Sequence, residues 1–159
     1  FVGSRGLGDV YKRQDQYKPR DRHYLKIAEA KEVKVGWSTA KQNRSITGGE
    51  LQIAGEKFSH GIGTHAHSEI TYDLSGKEFR RFYSMVGHND GGQDTYLTFE
   101  VHVDREKVFD SGDMKKGQPA KVLDISVEGA DELKLVVTNG RDGKPEGDHA
   151  DWGHAFLVK

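Results

Sequence analysis

Residues 95–103 read "TYLTFEVHV" and alternate without a break: Leu97, Phe99, Val101 and Val103 fall on one side, Thr98, Glu100 and His102 on the other. Successive side chains point to opposite faces in an extended strand, so this stretch specifies a β-strand with one face buried and one wet. The same period returns in "EITYDL" (Ile70, Tyr72, Leu74), "VLDISV" (Leu123, Ile125, Val127) and "ELKLVV" (Leu133, Leu135, Val137). "FRRFYSMVG" and "HAFLV" are apolar with less alternation, the pattern of strands covered on both faces. Turn-forming "SGK", "NDGG", "SGD", "EGAD" and "NGRDGKPEG" separate the runs. Short strands at this spacing predict an all-β sandwich or barrel, and only residues 24–34 leave room for a short helix.

The opening "FVGSRGLGDVYKRQ" carries neither the strand nor the helix period and resembles a translated sequencing adapter. Residues 1–14 are therefore expected to be disordered, residues 15–22 to form a charged lead-in, and residues 23–159 to form one domain. Lys and Arg number 24 against 25 Asp and Glu, so no net field draws nucleic acid or an anionic membrane, and a neutral partner fits better. The absence of cysteine excludes disulfides, thiolate catalysis and Cys-ligated zinc. No apolar run reaches the length of a membrane-spanning helix.

Two polar clusters are expected at loops or strand ends. In "SHGIGTHAHSE", His65 and His67 are two apart and would share one side of an extended strand, a spacing that metal ligands use. With His149 they would give a cupin-like metal enzyme, although Glu69 follows too soon for that family's first motif. The second cluster is "GDHADWGH". Its Asp148 and Asp151 offer hard oxygen ligands for calcium, but counting from Asp142 puts Lys144 and Gly153 at ligand positions of an EF-hand, which excludes that loop. No nucleophile elbow or phosphate loop supports catalysis. Sugar binding has more behind it. A sugar ring packs its C–H face on an aromatic and needs polar partners around its rim. Trp37 lies near Gln42, Asn43 and Arg44; Trp152 lies beside Asp148, His149 and Asp151. Either tryptophan could instead fill the core.

"LQIAGEKFSHGIGTHAHSEITYDLSG", "FRRFYSMVGHND", "LTFEVHVDREKVFDSGDM", "GADELKLVVTNGRDG" and "DHADWGHAFL" follow one another in the order of the NPCBM family, carbohydrate-binding module family 51, which residues 23–159 resemble. Two positions depart from the family pattern: Arg105 where a glycine is usual, and His88 where an apolar residue is commoner. The resemblance implies an all-β, jelly-roll sandwich of galactose-binding type, non-catalytic and joined to a glycoside hydrolase such as an α-galactosidase. It implies terminal galactose-type glycan as partner, a monomer, and an extracellular or periplasmic location. The implied sugar-facing set is Trp37, Asn43, His65, His149 and Trp152, with structural calcium at Asp148 and Asp151 as the one cofactor. The alternatives outside sugar binding are the cupin-like metal enzyme using His65, His67 and His149, and a protein-interaction module that bridges neighbouring domains.

Overall fold

The computed structural model describes residues 16–144 and 146–159, so the adapter-like stretch 1–14 lies outside the described residues. The strands in chain order are β1 (His23–Tyr24), β2 (Glu32–Val35), β3 (Lys41–Gln42), β4 (Leu51–Ile53), β5 (Glu56–Phe58), β6 (Gly61–His65) and β7 (Ser68–Asp73). They continue with β8 (Arg81–His88), β9 (Tyr96–Val103), β10 (Glu106–Asp110), β11 (Met114–Lys115), β12 (Lys121–Ser126), β13 (Glu132–Thr138) and β14 (His149–Val158). One sheet has the order β12-β8-β14-β6-β3, with β1 also on β14. A second has the order β10-β9-β13-β7-β2, with β11 also on β9, and β4 and β5 form a separate two-stranded sheet. All pairings are antiparallel. From β6 on, the chain changes sheets between β6 and β7, β7 and β8, β8 and β9, β11 and β12, β12 and β13, and β13 and β14, the repeated crossing expected of a jelly-roll sandwich.

The alternating residues do what their period requires. Ile70, Tyr72, Phe99, Val101, Leu133, Leu135 and Val137 form one inner wall, and Ile62, Phe82, Val86, Leu123, Ala150 and Trp152 form the facing one. Phe99 and Trp152 meet edge to face across the gap, with ring centroids 5.1 Å apart. Burying a side chain of this size contributes roughly 1.5–3 kcal/mol.

The central strands β8 and β14 are covered twice, which is why their alternation is blurred. Tyr83, Met85, Phe156 and Val158 on their outer face pack under Tyr17, Tyr24, Phe58 and Val122. Residues 24–34 hold only a 3-10 turn, Ile27–Glu29, between β1 and β2. Asp104 and Arg105 both adopt left-handed backbone, φ 49° and 70°, so the turn where the family favours glycine does demand that conformation.

Candidate functional site

At one end of the sandwich, β6 and β14 lie side by side in a register that sets His65 opposite His149. Directly paired residues share a face, so the two imidazoles project together, with ring centroids 5.6 Å apart. The third ring comes from the loop after β2. A Cβ at Gly36 would lie 2.5 Å from the Ala66 carbonyl oxygen, so only glycine lets this loop close onto the β6–β7 link. The closure delivers Trp37, which is 53% exposed, to within 5.4 Å of the His65 ring and parallel to the His149 ring at 6.0 Å.

Chemistry fixes the His65 tautomer. Its Nδ1 lies 2.6 Å from the Ala66 carbonyl oxygen, which can only accept, so Nδ1 carries the proton and Nε2 is left as an acceptor. Burial holds the His149 pKa below the usual imidazole value, and His65, His88 and Lys116 push it the same way. His149 is therefore neutral at pH 7, and its Nδ1 has no partner within the protein. An open indole edge beside two imidazoles can stack a ring and exchange hydrogen bonds with hydroxyls.

The "NDGG" turn closes the other side. A Cβ on Gly92 would fall 2.6 Å from both the Gly147 carbonyl and the His88 ring, and 3.1 Å from the His149 Cβ. Lys116 donates to the Gly92 carbonyl at 2.9 Å. His88, the departure from the family pattern, is buried behind this turn, with Nδ1 3.0 Å from the Asn89 carbonyl and Nε2 3.3 Å from the Thr95 hydroxyl. The sequence marked Gly92 only as a turn residue and gave no sign of Lys116, because both matter through contacts across the fold.

Several expected site residues lie elsewhere. Trp152 is fully buried in the core, since β14 starts at His149 and alternation sends Ala150 and Trp152 inward. The "HADWGH" stretch is strand, not loop. Asn43 adopts left-handed backbone and accepts from the Gly61 N–H at 3.0 Å and from Gln42. That is the far end of β6 from His65, about 13 Å away at ~3.3 Å per residue. His67 does not join His65, because β6 ends at His65 and the chain crosses to the other sheet. His67 turns instead onto Glu69 at 3.0 Å. Among the described residues no group of three His, Asp or Glu is arranged to hold a metal, so the cupin-like set does not assemble.

Asp148 and Asp151 also fail to make one calcium cradle. Three positions apart, they address different surroundings. Asp148 accepts from the Thr95 hydroxyl, whereas Asp151 accepts from the Asn89 amide at 2.7 Å and the Gln52 N–H at 3.0 Å. Each has one buried oxygen without a partner. Burial raises Asp148 to about 6, helped by Asp142 and Glu146, and raises Asp151 to about 8 against the hydrogen bonds from Asn89 and Gln52.

The NPCBM/NEW2 domain family matches residues 21–158. The alpha-1,3-galactosidase B of Akkermansia muciniphila is 33% identical over 112 residues; the match covers 69% of this chain and 14% of that protein, so the chain spans a small part of its curated relative. The CBM51 of Clostridium perfringens GH95, solved with methyl-galactose, superposes with a TM-score of 0.80 at 36% identity, covering 86% of this chain and 99% of that one. CBM51-2 of Clostridium perfringens ZmpB, solved with GlcNAc and INT domains, gives 0.80 at 29% identity over 87% of this chain and 31% of that one.

Proposed function

Because the chain belongs to the NPCBM/NEW2 domain family, we propose that it is a non-catalytic carbohydrate-binding module that takes terminal galactose-type sugars at Trp37, His65 and His149. The single observation that carries this reading is the exposed Trp37 ring flanked by two imidazoles, one with its acceptor nitrogen fixed. The indole supports the C–H face of the sugar. His65 Nε2 accepts from a ring hydroxyl, and the wrong epimer would leave that nitrogen unpaired, which is how a hydroxyl-reading site discriminates. The methyl-galactose complex of a related module favours galactose, while the GlcNAc complex of another argues for a site that this family retunes.

The module acts as a monomer and works by tethering. Joined to a glycoside hydrolase outside the cell or in the periplasm, it raises the local concentration of enzyme on glycan well beyond what one weak site gives alone. The galactosidase relative, of which this chain matches only a small share, supports that arrangement. The contacts proposed for the sugar are made by Trp37, His65 and His149, none of which is an expected calcium ligand.

A glycan array probed with the full chain and with Trp37→Ala, each checked by circular dichroism and run with and without calcium, tests the reading. Terminal galactosides should bind the wild type and lose the folded variant, with no response to chelation. Undiminished binding by Trp37→Ala would move the sugar site elsewhere.

A further inference from the structure

β14 carries His149 at one end of the sandwich and Leu157 at the other, roughly 26 Å away at ~3.3 Å per residue. At that far end lies a cleft of about 730 Å³ between the segment around residues 20–29, the turn after β7 and the end of β14. Its size falls within the ~300–1,000 Å³ common for small-molecule sites. Its floor is apolar, formed by Leu25, Leu74, Leu157 and the half-buried Phe79. Its rim mixes cations and carboxylates.

We propose that this cleft is a second saccharide site, for a neutral oligosaccharide, and that the module is bivalent; the idea rests on the reading above that the chain binds glycan. Three features carry it. The ring of Phe79 lies 5.3 Å from the tilted ring of His23, an aromatic beside an imidazole, like Trp37 beside His65 at 5.4 Å. His23 Nε2 is 2.9 Å from the Glu29 carboxylate, which can only accept, so that nitrogen carries a proton and the ring's second nitrogen is left to meet a hydroxyl, which both donates and accepts. Glu78, just before Phe79, is a non-glycine residue at φ 62°, a costly conformation of the kind that clusters at ligand sites.

The charged rim decides the ligand class. Lys77 and Glu78 stand on one lip and Arg20 and Asp21 on the other, opposite signs side by side. Such a rim gives no net attraction to an anion, but it supplies donors and acceptors for hydroxyls, which do both. Two sites on opposite ends cannot share one disaccharide. They can hold two branches of a multivalent glycan, so the gain would appear as avidity.

The test is amide chemical-shift mapping of the full chain titrated with lactose, N-acetyllactosamine and cellobiose, repeated on Trp37→Ala, Phe79→Ala and His23→Ala. His23 is exposed, so its variant keeps the test valid if Phe79→Ala fails to fold. The expected result is a sugar-dependent shift at Lys77, Phe79 and Leu157 that survives in Trp37→Ala and weakens at least several-fold in His23→Ala. Binding to a mucin-coated surface should then fall by about tenfold or more in either single-site variant, as loss of bivalency requires. Silence at the cleft with all three sugars while the Trp37 indole responds would overturn this proposal and leave the first site standing. Cleft shifts that vanish in Trp37→Ala would also overturn it, since they would be relayed from the first site.

Discussion

The two tryptophans look equivalent on the page, each followed or preceded by polar and charged neighbours, yet they have opposite fates. Trp37 sits on a loop, more than half exposed, beside two imidazoles; Trp152 is sealed between the sheets against Phe99. What separates them is parity. Once β14 starts at His149, Ala150 and Trp152 must go inward while His149 and Asp151 go outward, a parity that holds until the register shifts after Gly153. "DHADW" is therefore half site and half core, and composition alone could not divide it.

The sharpest way to break this contrast is to truncate both rings. Trp152→Ala should cost about 3–5 kcal/mol, as large aromatic deletions in packed cores do, and chemical denaturation should find the variant unfolded or nearly so. The Trp152 indole N–H has no partner, so Trp152→Phe forfeits no hydrogen bond and should cost much less. Trp37→Ala should leave stability within ~0.5 kcal/mol, as surface changes do. It should weaken galactoside binding by at least about tenfold when titrated calorimetrically. Equal stability losses for both alanine variants would erase the distinction.

A second contrast lies along the outward face of β14, where His149 joins the Trp37 and His65 rings and Asp151 is buried under Gln52 and Asn89. Asp151 is raised to about 8 in the folded protein, far above an unfolded carboxylate near ~4. Between those values the native state holds a proton that the unfolded state has lost, so stability falls as pH rises. The protein should be most stable toward pH 4–5 for this group and lose up to about 1.4 kcal/mol per pH unit toward pH 8. Asp148, raised to about 6, adds to the lower part of that window. Asp151→Asn should flatten the profile in thermal melts at pH 5, 6, 7 and 8. A wild type that gains stability over this range would mean that Asp151 is ionised and neutralised by something the fold supplies.

Strands were legible because their period is local: the four alternating runs pack as their apolar sides demand. The candidate site was legible only in part. His65, His149 and Trp37 could each be nominated from chemistry, but their convergence depends on the β6–β14 register and on Gly36 fitting against Ala66, neither of which leaves a mark in sequence. The same blindness paired His65 with His67. Two residues apart on one strand would share a face, but the sheet change falls between them.

Asn43 gives the smallest and most pointed test, because its neighbours in sequence suggest a sugar contact while its own contacts are with backbone. The side chain accepts from the Gly61 N–H, and the residue holds left-handed backbone that asparagine tolerates better than most. Asn43→Ala should therefore lose about 1 kcal/mol from the missing hydrogen bond and the less tolerant φ, and galactoside affinity should stay at the wild-type value. Asn43→Gly keeps the conformation and loses only the acceptor, so it should fall between the two in a denaturant titration. If Asn43→Gly instead binds as poorly as Trp37→Ala while remaining as stable as wild type, the sugar reaches the other end of β6, and the Trp37 cluster is only one edge of a longer site.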